Sequence, residues 1–238
     1  MTLAIDLFCG LGGWTEGLLA EGYDVVGFDI EKHEYGEAKY PAQLVLQDVL
    51  TIHGRQFKDA ALIVASPPCQ EYSYMAMPWT LAKTKAREYR DGTRDVKQLT
   101  ALFDACFRIQ REASEAAGHH IPMVVENVRG ANAWVGKSRW NFGSFHLWGD
   151  VPALMPIARN IYKVPGFRFD GSGRSFQTAA VEGIKCGGGW FGANDSSPMR
   201  RHSSKSPARK AASAAIAKIP FPLATHIARY WKPQASVA

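Results

Sequence analysis

The first half of the chain alternates short apolar runs with stretches of helical periodicity. Leu3–Phe8 reads as a strand running into a glycine-rich turn, and Trp14–Ala20 follows as a helix. Asp24–Asp29, Gln43–Leu46, Leu62–Ala65 and Met123–Asn127 read as further strands, Leu62–Ala65 being stopped by Pro67-Pro68. Val96–Ala117 sets Leu99, Leu102, Phe103, Cys106, Phe107 and Ile109 at helical spacing and is an amphipathic helix. Continuously apolar strands separated by helices predict an α/β fold: a doubly wound, mostly parallel sheet with helices on both faces. After Asn132 the pattern loosens. Trp134, Trp140, Trp148 and Trp190 fall among glycines and prolines, and Gly187-Gly188-Gly189 and Ser196–Ser206 read as loops. This divides the chain into a main domain over 1–150, a small irregular insertion over 151–210 and a segment over 211–238. The last returns to the main domain with a helix, Pro222–Trp231, that carries Leu223, Ile227 and Tyr230 on one face.

Composition narrows the class. With 238 residues, 46% hydrophobic and 21% charged, the chain can bury a core and is neither disordered nor a coiled coil. No apolar run approaches the ~20 residues of a membrane span. Met1–Asp6 lacks the basic start of a signal peptide, so a soluble, cytoplasmic protein is expected. Cys9, Cys69, Cys106 and Cys186 show no CxxC spacing, which gives no support for a metal site or a redox dithiol; unbridged thiols are expected. Net charge is +6, and its excess is local. From Ser196 onward there are eight basic residues and no acid, against 20 basic and 22 acidic residues before it. A near-neutral body with a basic end suits a polyanionic partner or, alternatively, a plain solvated face.

Chemistry gathers at the strand ends. Asp6-Leu7-Phe8-Cys9-Gly10-Leu11-Gly12-Gly13 runs from a strand into a turn whose glycines admit a ligand close to the backbone, with a helix N-terminus behind it. Asp29 ends the second strand, where an acid commonly accepts from ribose hydroxyls, and Asp48 follows the third, placed to accept from an exocyclic amine. Ser66-Pro67-Pro68-Cys69-Gln70-Glu71-Tyr72-Ser73 holds a cysteine in a proline-stiffened polar turn, a place that suits a nucleophile better than core filler. Glu126-Asn127-Val128 brings another acid to a strand end, within reach of one substrate shared with Cys69. Cys9, Cys106 and Cys186 read as structural, and His119-His120 as surface histidines.

Asp6–Gly13, then Pro68-Cys69-Gln70, then Glu126-Asn127-Val128, in that order, resemble the successive motifs of the DNA (cytosine-5) methyltransferase family. Lys218–Ala224 resembles its final motif, which packs back on the first strand region, so the match spans 1–148 and about 211–232. The resemblance implies a Rossmann-like class I S-adenosylmethionine-dependent fold with 1–150 catalytic and 151–210 a short target-recognition region. It implies S-adenosylmethionine as cofactor, held by Asp6, Phe8, Gly10, Leu11, Gly12, Gly13, Asp29, Ile30, Asp48, Val49 and Pro68. It implies Cys69 as the nucleophile on cytosine C6, with a protonated Glu126 steadying the ring nitrogens. Two departures stand out. The family's Gln-x-Arg-x-Arg motif is missing around Gly136–Gly143, where Arg139 is the candidate substitute for contacting the base and orienting Glu126. Ile216-Ala217 replace the usual Gly-Asn of the last motif.

The partner implied is double-stranded DNA, bound by a monomer, with the target base flipped out of the stack. Gln70 and Ser73 fall beside the nucleophile. Lys83, Lys85, Arg87 and Arg90, with Arg94 and Lys97, crowd a segment read as a mobile basic loop closing over DNA. Arg200, Arg201, Lys205, Arg209 and Lys210 are expected on phosphates. So small an insertion can supply few bidentate base contacts, which predicts a target of about two to four base pairs. The alternatives are tRNA cytosine methylation, an inactive cofactor- and DNA-binding module, and a nicotinamide oxidoreductase. The last has no use for Pro68-Cys69-Gln70 beside Glu126.

Overall fold

The computed structural model describes residues 2–72, 79–156 and 217–233, together with Pro207, Lys210, Ala211 and Ala214. Ser73, Cys186, Arg200, Arg201, Lys205 and Arg209, and most of the expected insertion, lie outside the described residues.

Five strands form the parallel body of the sheet. They are β1 (Thr2–Leu7), β2 (Tyr23–Asp29), β5 (Gln43–Leu46), β6 (Ala60–Ala65) and β7 (Met123–Asn127). Between β2 and β5 the chain makes a small hairpin, β3 (Glu34–Tyr35) with β4 (Ala38–Lys39). The helices are α1 (Gly13–Ala20), α2 (Trp79–Arg90), α3 (Val96–Ala117), α4 (Asn132–Val135) and α5 (Phe221–Trp231), and two more strands, β8 (Trp140–Phe142) and β9 (Phe145–Gly149), close one edge. The order across the seven-stranded sheet is β5-β2-β1-β6-β7-β9-β8. β9 runs antiparallel to β7, and β8 antiparallel to β9. The order reverses beside β1, so the carboxyl ends of β1 and β6 diverge there and open a crevice for ligand.

Each face buries its own core. Ala4, Leu62, Val64, Val124 and Leu147 meet Trp14, Leu18, Leu223 and Ile227 of α1 and α5. Ile5, Leu7, Ile63 and Val125 meet Phe103, Cys106 and Ile109 of α3 on the other face. Asp95 caps α3 by accepting the Lys97 N–H at 2.8 Å, and Gly118 ends it in the left-handed region.

The basic segment read as a mobile loop is largely helix. Lys83, Lys85, Arg87 and Arg90 all ride on α2, whose buried positions among the described side chains are the alanines Ala82 and Ala86, with Tyr89 half-buried against the core. A buried stripe of two small residues four apart leaves little hydrophobic signal among so many cations. The β8–β9 hairpin lies where the pattern loosens. Strands of three and five residues joined through Gly143 are too short for alternation to register.

Candidate active site

The crevice starts at the turn after β1. Phe8 and Gly10 take positive φ of 58° and 52° there, and Gly12 does so at 76°. The turn is tied down by the Cys9 N–H on the Phe28 carbonyl at 3.2 Å and the Gly12 N–H on the Cys9 carbonyl at 2.7 Å. The glycines differ in what they serve. A β-carbon at Gly10 would meet only open space, whereas one at Gly12 would press on Pro41 and one at Gly13 on the Ile219 backbone. So Gly10 leaves room on the ligand side. Gly12 and Gly13 admit the chain's own neighbours, including the Lys218–Ile219 segment that leads into α5. Lys218 then pairs with Glu16 of α1 at 2.5 Å.

Asp29, at the end of β2, is the most heavily hydrogen-bonded acid of the crevice. It accepts the Gly10 N–H at 2.9 Å on one oxygen and the Ile30 N–H at 2.8 Å on the other. His33 Nε2 stands 3.6 Å from it and holds Tyr35 through Nδ1. Burial opposes the charged form, but the His33, Gly10 and Glu31 donors outweigh it and hold this carboxyl below the usual range. Ile30, next along, exposes 72% of its surface, a large apolar side chain laid open at the crevice. Asp48 caps the short helical turn Val49–Thr51 by accepting the Leu50 N–H at 2.9 Å. Val49, the first residue of that turn, is 2% exposed and packs in the α3-side core.

Asp6 lies beneath the turn, fully buried. One carboxylate oxygen accepts the Thr15 hydroxyl at 2.7 Å, and Thr15 meets the Tyr40 hydroxyl at 2.6 Å. The other oxygen has no hydrogen-bond partner among the described residues. Burial pushes this carboxyl up to about 7, with the Asp29 charge adding to the rise. Cys9 is buried, its thiol pushed up by burial; Cys106 likewise, as expected of structural cysteines.

The Cys69 turn is pinned at each end. Ser66 receives the Trp14 indole N–H at 3.0 Å and gives its own N–H to Leu7 at 3.1 Å. Asn127 donates its side-chain amide to the Pro67 carbonyl at 2.9 Å. The Tyr72 N–H bonds the Cys69 carbonyl at 3.0 Å, and the Tyr72 hydroxyl anchors on Leu99 of α3 at 2.7 Å. Cys69 is half-buried, between Pro68 and Gln70, which are both exposed. Glu126 is buried at the end of β7, one residue past the pairing of Val125 with Ala65. Adjacent strand ends thus present Cys69 and Glu126, with Asn127 joining them. Sequence reasoning gives Trp14, Tyr72 and Asn127 no part. Asn127 stands inside the quoted motif, but its partner is 60 residues away and spacing does not reveal it.

Arg139 is exposed at the start of β8, its N–H on the Leu147 carbonyl at 2.8 Å. Leu147 is the register partner of Glu126, so Arg139 sits across β9 from that acid. On α2, Lys83, Arg87 and Arg90 are exposed, while Lys85 pairs with Glu71 at 2.7 Å and Arg87 with Asp91 at 3.2 Å. Lys210 is exposed as well.

The residues fit S-adenosylmethionine on three observations. A buried carboxylate oxygen without a partner among the described residues lies under the turn, Gly10 leaves open space above it, and an exposed isoleucine stands beside Asp29.

Comparison with known proteins shows the family. A Type II methylase, M.HgiDII from Herpetosiphon aurantiacus, is 33% identical over 79 residues, which is 29% of this chain and 22% of that protein. The structure of Schizosaccharomyces pombe Dnmt2 methyltransferase overlaps 57% of this chain and 37% of its own, at 16% identity and a TM-score of 0.36. That of the Entamoeba histolytica methyltransferase EhMeth covers 57% and 41%, at 17% identity and a TM-score of 0.34. Overlaps so partial say nothing of activity, and the chain spans well under half the length of each of these relatives. The model of the C-5 cytosine-specific DNA methylases matches residues 3–131, from the first strand through the Glu126-Asn127-Val128 turn. With more than half its length matched in this way, the chain belongs to the C-5 cytosine-specific DNA methylase family.

Proposed function

We propose that the chain methylates C5 of a cytosine flipped out of duplex DNA. The observation that carries this reading is the Asn127 amide on the Pro67 carbonyl, which fixes the Cys69 turn to the strand end bearing Glu126. Cytosine C5 is a poor nucleophile. Addition of the Cys69 thiolate to C6 pushes the electron pair toward C5 and N3, and makes C5 an enamine carbon. Glu126, buried at the end of β7, is assigned to give a proton to N3 and neutralise the charge that builds there. S-adenosylmethionine supplies the electrophilic methyl group that C5 takes up. A water molecule removes the C5 proton, that pair forms the C5–C6 double bond as the C6–sulfur bond breaks and Cys69 leaves as thiolate, and N3 returns its proton to Glu126.

The remaining residues bind and orient. Gly10–Gly13, Asp29, Ile30 and Asp48 would hold the cofactor, Asp29 suited to accept from ribose hydroxyls and Asp48 from an exocyclic amine. The exposed cations of α2, with Gln70 and Ser73, approach the DNA beside Cys69. Arg200, Arg201, Lys205, Arg209 and Lys210 take phosphates, and 151–210 reads a short target. Arg139, beside β8 and two strands out from Glu126, is assigned to the base edge. Extruding the base costs a few kcal/mol, which these contacts repay.

Methyl transfer from labelled S-adenosylmethionine to duplex DNA and to tRNA tests the reading, followed by bisulfite mapping of the DNA. Label in duplex DNA at C5 of cytosines within a short shared context is expected. Label in tRNA alone overturns the choice of substrate, and label in neither overturns the activity.

A further inference from the structure

Asp6 stands out among the buried groups. It is 0% exposed, in register with Gly27 on one side and Val64 on the other, neither of which brings a polar side chain. Among the described residues its donors are the hydroxyl and the backbone N–H of Thr15 on α1, and its second oxygen has no hydrogen-bond partner there. The titratable groups around it give no compensation. Asp29, at the end of β2, is a like charge. The Cys9 thiol in the turn and the Tyr40 phenol before Pro41 are both pushed up by burial and stay neutral. Of the described cations on the surrounding segments, His33 pairs with Asp29, and Lys218, on the segment over Gly13, with Glu16. A fully buried carboxylate whose only donors among the described residues come from Thr15, with no cation beside it there, is costly, and the acid form is preferred until a positive charge arrives.

This bears on the cofactor reading above and depends on it. The methyl donor carries a sulfonium, one positive charge more than the thioether left after transfer. We propose that Asp6 holds a proton when no donor is bound, and releases it to solvent when the sulfonium binds over the glycine turn. The chain thereby holds the charged donor more tightly than the uncharged product. The field acts through the turn, without direct contact, and is strong because the intervening medium is protein. Thr15 and Tyr40 set the threshold, since a Thr15 hydroxyl donating to Asp6 favours the carboxylate.

Calorimetry of the full chain without DNA tests this, with S-adenosylmethionine and S-adenosylhomocysteine titrated between about pH 6 and pH 8 in buffers of different ionisation enthalpy. The ligand's own amino group titrates in wild type and variants alike, and cancels between them. For wild type, S-adenosylmethionine is expected to release a proton that Asp6→Asn does not release. Its Kd should fall as pH rises, by about tenfold for each unit by which the cation lowers the carboxyl. For S-adenosylhomocysteine the wild type and Asp6→Asn should release the same. Thr15→Val, which removes the donor but keeps the carboxyl, should move the pH window for S-adenosylmethionine upward, and it serves if Asp6→Asn does not fold. Equal proton release for both ligands, or a pH window unmoved by Thr15→Val, overturns the proposal. Failure of both ligands to bind at any pH overturns the cofactor reading instead.

Discussion

Asn127 joins two stretches of chain with one amide. Its Nδ2–H bonds the Pro67 carbonyl, and its own Oδ1 takes the Val128 N–H at 2.8 Å. Asn127→Ala leaves a buried carbonyl without its donor, a loss of about 1–3 kcal/mol in stability. It also frees the Cys69 turn to drift from Glu126. Single-turnover methyl transfer is expected to slow at least about tenfold with cofactor Kd unchanged, because misplacement of a reacting group acts on the chemical step. A Kd that rises with no change in rate would contradict the positioning role. Asp6 makes a different prediction, one of stability. Its carboxyl stands near 7 in the folded chain and in the ordinary carboxylate range when unfolded. Between those values the folded state keeps a proton that the unfolded state has lost, so stability falls as pH rises toward 7 and then levels. Asp6→Asn removes that penalty, on the order of a few kcal/mol. Thermal melts without cofactor should place it above wild type at pH 8, with the gap narrowing toward pH 5.

At the scale of elements, the sequence is most legible where a single period runs long enough. Val96–Ala117 and Met123–Asn127 have the same bounds in sequence and structure, because each is buried continuously along one face or both. Periodicity fails for α2, where alanines carry the buried stripe, and for β8–β9, where two short strands read as loop. The glycine motif is legible as a turn, but two of its glycines answer to the chain's own packing. That packing concerns α1 and α5, where Gly17 abuts Ala224. A methyl at Gly17 would lie 2.5 Å from the Ala224 β-carbon and 2.6 Å from backbone atoms of α5. The gain in helix propensity for Gly17→Ala is about 1 kcal/mol. Overpacking against backbone costs about 1–3 kcal/mol, and backbone cannot swing aside, so the loss wins. A melting temperature a few degrees lower is expected, with weaker S-adenosylmethionine binding because Ile219 shifts off Gly13. An unchanged melting temperature would show that α5 does not seat on α1 through Gly17.

The whole molecule divides its charge unevenly, and this is legible from counting alone: every basic residue from Arg200 onward lies in a stretch without acids. Counting cannot give which cations are already paired. Lys85 and Arg94 are committed to Glu71 and Glu88, while Arg90 stays exposed at the end of α2. Neutralising phosphates releases counterions, so DNA affinity should fall steeply with salt. Replacing Arg87 and Arg90 by Gln is expected to lower affinity for duplexes of any sequence alike. The salt slope should shrink by about one for each phosphate that is no longer neutralised. An unchanged slope would place the DNA elsewhere on the surface.

The central claim is a transient bond between the Cys69 sulfur and cytosine C6, and trapping it is the most direct measurement. A duplex of random sequence with 5-fluorocytosine in place of cytosine, incubated with the chain and S-adenosylmethionine, cannot lose fluorine as it would lose a proton, so the adduct persists. The account predicts a protein–DNA band that survives denaturation with wild type and is absent with Cys69→Ala. A wild-type chain that binds this DNA and leaves no band, or a band that persists without the sulfur at position 69, would contradict it.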